Sequence, residues 1–124
     1  MTAEKLRRDG FGATPRFHCL IGELGGERVA YAIYFFVYST WEGLSLYLED
    51  LYVTERARGH GVGLAMMKAL GRQMLANDCA RFQWCVLTLH FCLSMNDAAA
   101  LLWLCGLTRV RVFGWVKKAS PGLE

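Results

Sequence analysis

The sequence predicts an α/β fold whose mixed, mostly antiparallel sheet carries a strand, a glycine loop, a helix and a second strand in succession. Three observations lead to it. Leu46-Tyr-Leu-Glu-Asp-Leu-Tyr-Val53 reads as a strand with carboxylates inside it. Arg58-Gly-His-Gly-Val-Gly63 follows after a short gap and opens a helix. Val62, Met66, Leu70 and Met74 then recur at four-residue spacing, with Lys68 and Arg72 elsewhere on the turn, before the apolar stretch Arg81 to Leu89 returns as a strand.

The remaining elements follow from local chemistry. Arg16 to Leu24 reads as a strand, Gly25-Gly26 as a turn and Arg28 to Tyr38 as the antiparallel partner, which makes a hairpin. Ser39 to Gly43 is the next loop, and Leu44 to Val53 a third strand. Strict alternation places Tyr47, Glu49, Leu51 and Val53 on one face, with Leu46, Leu48, Asp50 and Tyr52 on the other, so the two carboxylates are expected to point apart. The helix is expected over Gly61 to Ala76 with Asn77 as its stop. Val86 to Leu107 is apolar overall, but His90, Ser94, Asn96 and Asp97 interrupt it. It reads as two shorter buried elements with Ser94 or Asn96 available as a helix cap, not as a membrane span.

A glycine loop that opens a helix lets backbone N–H groups approach an anion without obstruction by Cβ, and the helix N-terminus favours negative charge. Arg58 adds a fixed cation with forked donors. Such a run of glycines is on its own also compatible with a plain turn. A phosphate loop of the Walker type would need Lys followed by Ser or Thr, whereas Gly63 is followed by Leu64 and Ala65. The dinucleotide fingerprint needs wider glycine spacing than Gly59, Gly61 and Gly63 provide.

The Arg-x-x-Gly-x-Gly pattern resembles the pyrophosphate loop of the GNAT superfamily of acetyl-CoA-dependent N-acetyltransferases. Asp9-Gly-Phe-Gly12, Phe17-His-Cys-Leu20, Tyr47-Leu-Glu-Asp50 and Val53 through Gly63 resemble its diamine acetyltransferase branch, which acts on spermidine, spermine or thialysine. The resemblance covers roughly positions 4 to 87. It implies a partial GNAT fold and acetyl-CoA as co-substrate, held by Leu51, Tyr52, Val53, Arg58, Gly59, His60, Gly61, Val62, Gly63 and Leu64.

Amine acetylation requires a deprotonated nitrogen, and alkylammonium groups have a pKa of about 10.4 in water. The resemblance assigns proton removal to Glu49, acting through a water, and implies Glu49, Asp50 and Trp84 as acceptor-binding residues. Without it, Glu49 would read as a solvated strand carboxylate. Backbone N–H groups can polarise the thioester carbonyl where a strand is splayed or bulged, and the resemblance implies that Leu51 to Val53 do so and also hold the pantetheine arm in a β-like pairing. Leu51 and Val53 can also be core residues.

The departing thiolate needs a proton, which a tyrosine supplies in the family, but no tyrosine follows Tyr52 here. Thr88-Leu89-His90 stands where the family has Asp-Trp-Asn, and either Asp97 or Trp103 falls at the tyrosine position according to register. Neither reproduces a phenol, and His90 is more readily a packed side chain than a donor. Family members also carry a strand and one or two helices before the segment matching Asp9 to Gly12, and the chain is expected to start without them. The expectation is therefore a single, incomplete domain over 1–124 with a divergent tail over 88–124: a fragment, splice form or frame artefact. A lost edge strand would favour association.

Composition narrows the partners. A hydrophobic content of 54% with 20% charged residues excludes a disordered chain. The net charge of +3 is mild and its cations scattered, which argues against nucleic acid. Five cysteines without a C-x-x-C pair suggest neither a metal site nor a disulfide framework. Met1 to Gly12 lacks the apolar core of a secretory signal. A cytoplasmic enzyme acting on a small amine, homodimeric, with no metal, nucleic acid or membrane, is the expectation. A weakly active coenzyme A-binding or dimerisation module is the alternative.

Overall fold

A computed structural model describes residues 1–86, 91–95 and 111–114. Along the chain it shows α1 (Ala3–Phe11), β1 (His18–Leu24), β2 (Glu27–Ser39), β3 (Gly43–Val53), a short 3-10 turn (Glu55–Ala57), α2 (Val62–Ala76), β4 (Arg81–Val86), β5 (Phe91–Met95) and β6 (Arg111–Gly114). The strands form one six-stranded sheet in the order β5-β4-β3-β2-β1-β6. Only β3 and β4 run parallel, joined across α2, and the other neighbours are antiparallel. The strand, loop, helix and strand read from sequence are all present.

Turn chemistry sets the hairpins. Gly25 and Gly26 both hold positive φ, at 61° and 83°, the two-residue geometry that matches the twist of flanking antiparallel strands. Between β2 and β3, the Ser39 hydroxyl accepts from the N–H groups of Trp41 and Glu42, and Glu42 pairs with Arg81 at 2.7 Å. That ion pair ties the turn to the start of β4.

The core lies between the sheet and α2. Val62, Met66, Leu70 and Met74 are buried as their spacing predicts, and they pack with Leu20, Ala30, Ala32, Tyr34, Leu46, Leu48 and Phe82. Helix α2 ends at Asn77, whose side-chain amide donates to the Gln73 carbonyl at 2.8 Å. Contact between α2 and β1 is close at Gly22, where a Cβ would lie 2.9 Å from Met66 Sδ and 3.0 Å from Ala30 Cβ. Gly22→Val should therefore destabilise the chain by about 1–3 kcal/mol in urea unfolding, the usual penalty for overpacking.

Four expectations are corrected. The alternation assumed for β3 fails at a bulge: Tyr34 faces Leu48 but Ile33 faces Asp50, so Glu49 is an additional residue with no partner on β2. Beyond it the side-chain phase reverses, which puts Leu51 and Val53 on the face of Leu46 and Leu48, and Asp50 and Tyr52 on the face of Tyr47. Second, the amino end holds a helix. Thr2 caps it by accepting from the Lys5 N–H at 3.2 Å, and it lies across the face opposite α2, its buried Gly10 against the Phe17 ring. Third, the outer edge of β1 is covered from Leu20 to Glu23 by β6. Fourth, Ser94 sits within a strand, so it is not a helix cap. Asn96, Asp97, Trp103 and His90 lie outside the described residues, as does most of the 88–124 tail.

Burial has an electrostatic consequence. It pushes the Cys19 and Cys79 thiols and the Tyr34 phenol above their usual pKa range, with Cys19 adding to the rise at Tyr34 and Asp78 to that at Cys79. A raised folded-state pKa means that the unfolded chain ionises first. The contribution of these three groups should be whole below about pH 8.5 and decline as pH rises further, which thermal unfolding from pH 7 upward would show.

Candidate active site

Parallel pairing between β3 and β4 runs from Ser45 opposite Arg81 to Leu48 opposite Trp84 and stops there. Both strands continue, and among the described residues the edge of β3 toward β4 has no strand partner from Glu49 to Val53. The bulge at Glu49 coincides with this parting. A central strand with a free backbone edge can pair with an extended ligand instead of a neighbour.

At the end of that edge the chain turns through Glu55 to Gly61 into α2. A cavity of about 460 Å³ opens here, lined by Leu51, Tyr52 and Val53 from β3 and by Ala57, Arg58, Gly59, Gly61, Val62 and Gly63 from the turn and helix start. Gly59 and Gly61 hold φ of 79° and 77°, a left-handed backbone that side chains with Cβ resist. Helix α2 begins at Gly61 without a side-chain cap, so N–H groups of its first turn are presented outward. At Gly63 a Cβ would meet nothing within 4 Å. At its glycine-rich end the lining offers backbone donors and open space, which fits a diphosphate bridge.

Arg58 is fixed at this cavity. Its Nε–H donates to the Val53 carbonyl at 3.1 Å, and its guanidinium carbon stands 5.8 Å from the centre of the Tyr52 ring. The cation therefore sits at the β3 terminus with its outer nitrogens free for an anion among the described residues. His60 and Leu64, expected here from the sequence, do not line the cavity. His60 turns its Nδ1 toward the carbonyls of Ala57 and Arg58, at 3.2 and 3.0 Å, and so braces the loop.

A second cavity, about 560 Å³, opens on the α1 face of the sheet. Glu49 and Asp50 both line it, contrary to the alternation expected for β3, because the bulge brings two successive side chains to one side. Phe17, Tyr31, Ile33 and Phe35 supply an apolar wall, and Met1, Leu6, Asp9 and Arg16 complete the lining. Tyr31 stacks near Tyr52, ring centres 5.8 Å apart, which links the two cavities. Trp84, assigned to the acceptor from sequence, is elsewhere: it packs on the α2 core beside Phe82, ring centres 5.1 Å apart. Alternation along β2 could have found Tyr31, Ile33 and Phe35, whereas Asp9 and Arg16 carry no sequence signal. Among the described residues no group of three or more His, Cys, Asp or Glu is placed to hold a metal, and no helix is long and apolar enough to cross a membrane.

The profile of the acetyltransferase (GNAT) family matches residues 2–104. The chain belongs to that family. Within it, this GNAT chain is 41% identical over 95 residues to thialysine N-epsilon-acetyltransferase of Mus musculus, an alignment covering 70% of the chain and 56% of that relative. It is 42% identical over 86 residues to spermidine/spermine N(1)-acetyltransferase-like protein 1 of Homo sapiens, covering 64% of the chain and 12% of that protein. These similarities place it in the diamine acetyltransferase branch of GNAT proteins. The chain spans little more than half the length of the thialysine acetyltransferases it matches. In three dimensions the GNAT fold recurs in an aminoglycoside acetyltransferase from an uncultured soil metagenomic sample, with a TM-score of 0.60 at 15% identity over 84% of this chain and 63% of that one.

Proposed function

We propose that the chain transfers an acetyl group from acetyl-CoA to a primary amine of a polyamine or lysine analogue. The parting of β3 and β4 at the Glu49 bulge carries this reading, because it sets the glycine-lined cavity and the carboxylate-lined cavity against the same strand. The residues fit coenzyme A: Gly59 to Gly63 and Arg58 would hold the pyrophosphate, while the free edge from Leu51 to Val53 would pair with the pantetheine arm. The coenzyme supplies an activated thioester. Glu49 attracts the cationic amine and takes its proton through a water, and Asp50 beside it adds a second negative charge to hold the ammonium. The backbone at the bulge directs N–H groups to the acyl oxygen.

A second reading has one observation in its favour. No tyrosine follows Tyr52, so the 124-residue chain lacks the phenol expected to protonate the thiolate. The same surfaces would then make a coenzyme A-binding or dimerisation module that turns over poorly. A cytoplasmic homodimer forms part of either reading, and sedimentation equilibrium tests the dimer.

Incubating the chain with acetyl-CoA and spermidine or thialysine, followed by mass spectrometry of the amine, separates the readings. Enzyme-dependent amide formation supports transfer. Coenzyme binding without product supports the module, and neither signal contradicts both.

A further inference from the structure

We propose that the Glu49 chamber continues into an apolar subsite beneath α1, which takes the hydrocarbon tail of an acceptor, so that a primary alkylamine fits the chain with its ammonium on β3 and its methyl end under the helix. The inference rests on the reading of the Glu49 cavity as the acceptor chamber. A third cavity carries it, about 430 Å³, within the usual size of small-molecule sites. Ala3, Leu6 and Phe11 of α1 supply one wall, Cys19 and Ile33 of the sheet the facing one, and Phe17 stands at the side. Leu6, Phe17 and Ile33 line the Glu49 cavity as well, so the two spaces adjoin.

Strand register gives the path. Cys19 stands opposite Ile33 and Ile33 opposite Asp50, a row across β1, β2 and β3. Asp50 ends the row in the carboxylate-lined cavity, Ile33 lines both spaces, and Cys19 ends it in the apolar one. Two strand spacings make this about 10 Å, which an extended chain of roughly seven or eight carbons covers. Charge sets the direction. Glu49 and Asp50 make no ion pair among the described residues, whereas Asp9 pairs with Arg8 at 2.8 Å and also feels Lys5 and Arg16. Arg16 and the Met1 α-ammonium share that lining, so an incoming ammonium is drawn to the β3 carboxylates. At the other end burial pushes the Cys19 thiol up and keeps it neutral, its Sγ–H donating to the Leu20 carbonyl at 3.7 Å. Arg7, the charged residue on this lining, is exposed and can lay its methylenes on the rim with its cation in water. A methyl end gains here by leaving water, while a second ammonium would lose hydration and meet Arg7.

Calorimetry on the chain saturated with coenzyme A tests this with propylamine, pentylamine and heptylamine, and with 1,6-diaminohexane, which matches heptylamine in length but ends in a second ammonium. Affinity should rise about 3- to 4-fold for each methylene added to the monoamine, the scale of a buried CH₂. Cys19→Leu, which fills the subsite from the sheet, should weaken heptylamine about 10-fold or more, and propylamine and the diamine less than about 3-fold. Ala3→Phe fills the same space from the exposed first turn of α1 and should act alike, so the result does not hang on how Cys19→Leu folds. Glu49→Gln should weaken all the amines, because each places an ammonium there. A flat chain-length series, or equal losses for propylamine and heptylamine in both filling variants, overturns the subsite; weakening of those amines by Glu49→Gln would then leave the chamber itself standing. Heptylamine affinity that survives Glu49→Gln marks an apolar site detached from the carboxylates and overturns the row. Absence of binding by every amine, with coenzyme A still bound, overturns subsite and chamber together.

Discussion

Replacing Gly61 by valine should abolish coenzyme A binding while the chain remains folded. Two effects combine. At φ of 77° a β-branched residue is strained by about 1–3 kcal/mol, and relief would pull the backbone away from the geometry that starts α2. The new side chain would also fill the cavity floor where a diphosphate must approach backbone N–H groups. Together these predict a loss of affinity of roughly 100-fold or more. Gly26→Ala is the control, since Gly26 also holds positive φ but sits in the β1–β2 turn, away from the cavity. It should cost stability and leave coenzyme affinity intact. Equal affinity in Gly61→Val and the parent chain, by calorimetry, would remove the loop from the binding site. In the parent chain, affinity should also fall as salt rises, because Arg58 is exposed and screened.

Glu49→Gln should lower acetyl transfer by about 10²- to 10⁴-fold, the range for loss of a positioned proton acceptor, with coenzyme affinity nearly unchanged. The amide keeps the shape of the side chain and removes the charge. Asp50→Asn has a different expected signature. Because the bulge brings Asp50 into the same cavity as Glu49, its loss should raise KM for the amine more than it lowers kcat. Steady-state kinetics with both variants distinguishes base from counter-charge. Identical profiles for the two, or loss of coenzyme binding in Glu49→Gln, would mark the carboxylates as structural.

Most of the fold was legible because its signals are local. The Gly25-Gly26 turn, the alternation of β2 and the four-residue stripe from Val62 to Met74 each follow from a short stretch, and the structure holds them. The bulge was not legible, since Glu49 is displaced by its pairing with β2 and not by its own sequence. That single inserted residue explains why Glu49 and Asp50 were expected on opposite faces and why Leu51 and Tyr52 exchange sides. Helix α1 was hidden by its charges, with Glu4, Lys5, Arg7 and Arg8 leaving only a thin apolar face, although Thr2 is an ordinary cap. Pairing of β6 with β1 is a long-range contact that no local pattern announces. At the site, the glycine loop announced its own cavity. Asp9 and Arg16 joined the second cavity only when α1 and β1 were assembled, whereas its wall of Tyr31, Ile33 and Phe35 follows from the alternation of β2.

Acetylation of spermidine and thialysine by the 124-residue chain, followed across pH beside a coenzyme A titration, shows whether the two cavities work as one active site. The chain should bind coenzyme A and form N-acetyl product slowly, about 10²- to 10⁴-fold below the roughly 10 per second of an ordinary enzyme, because no tyrosine after Tyr52 can protonate the leaving thiolate. Turnover near 10 per second would show that another group, with His90 the first to test, protonates the thiolate. Failure both to bind coenzyme A and to form product would contradict the assignment of the two cavities.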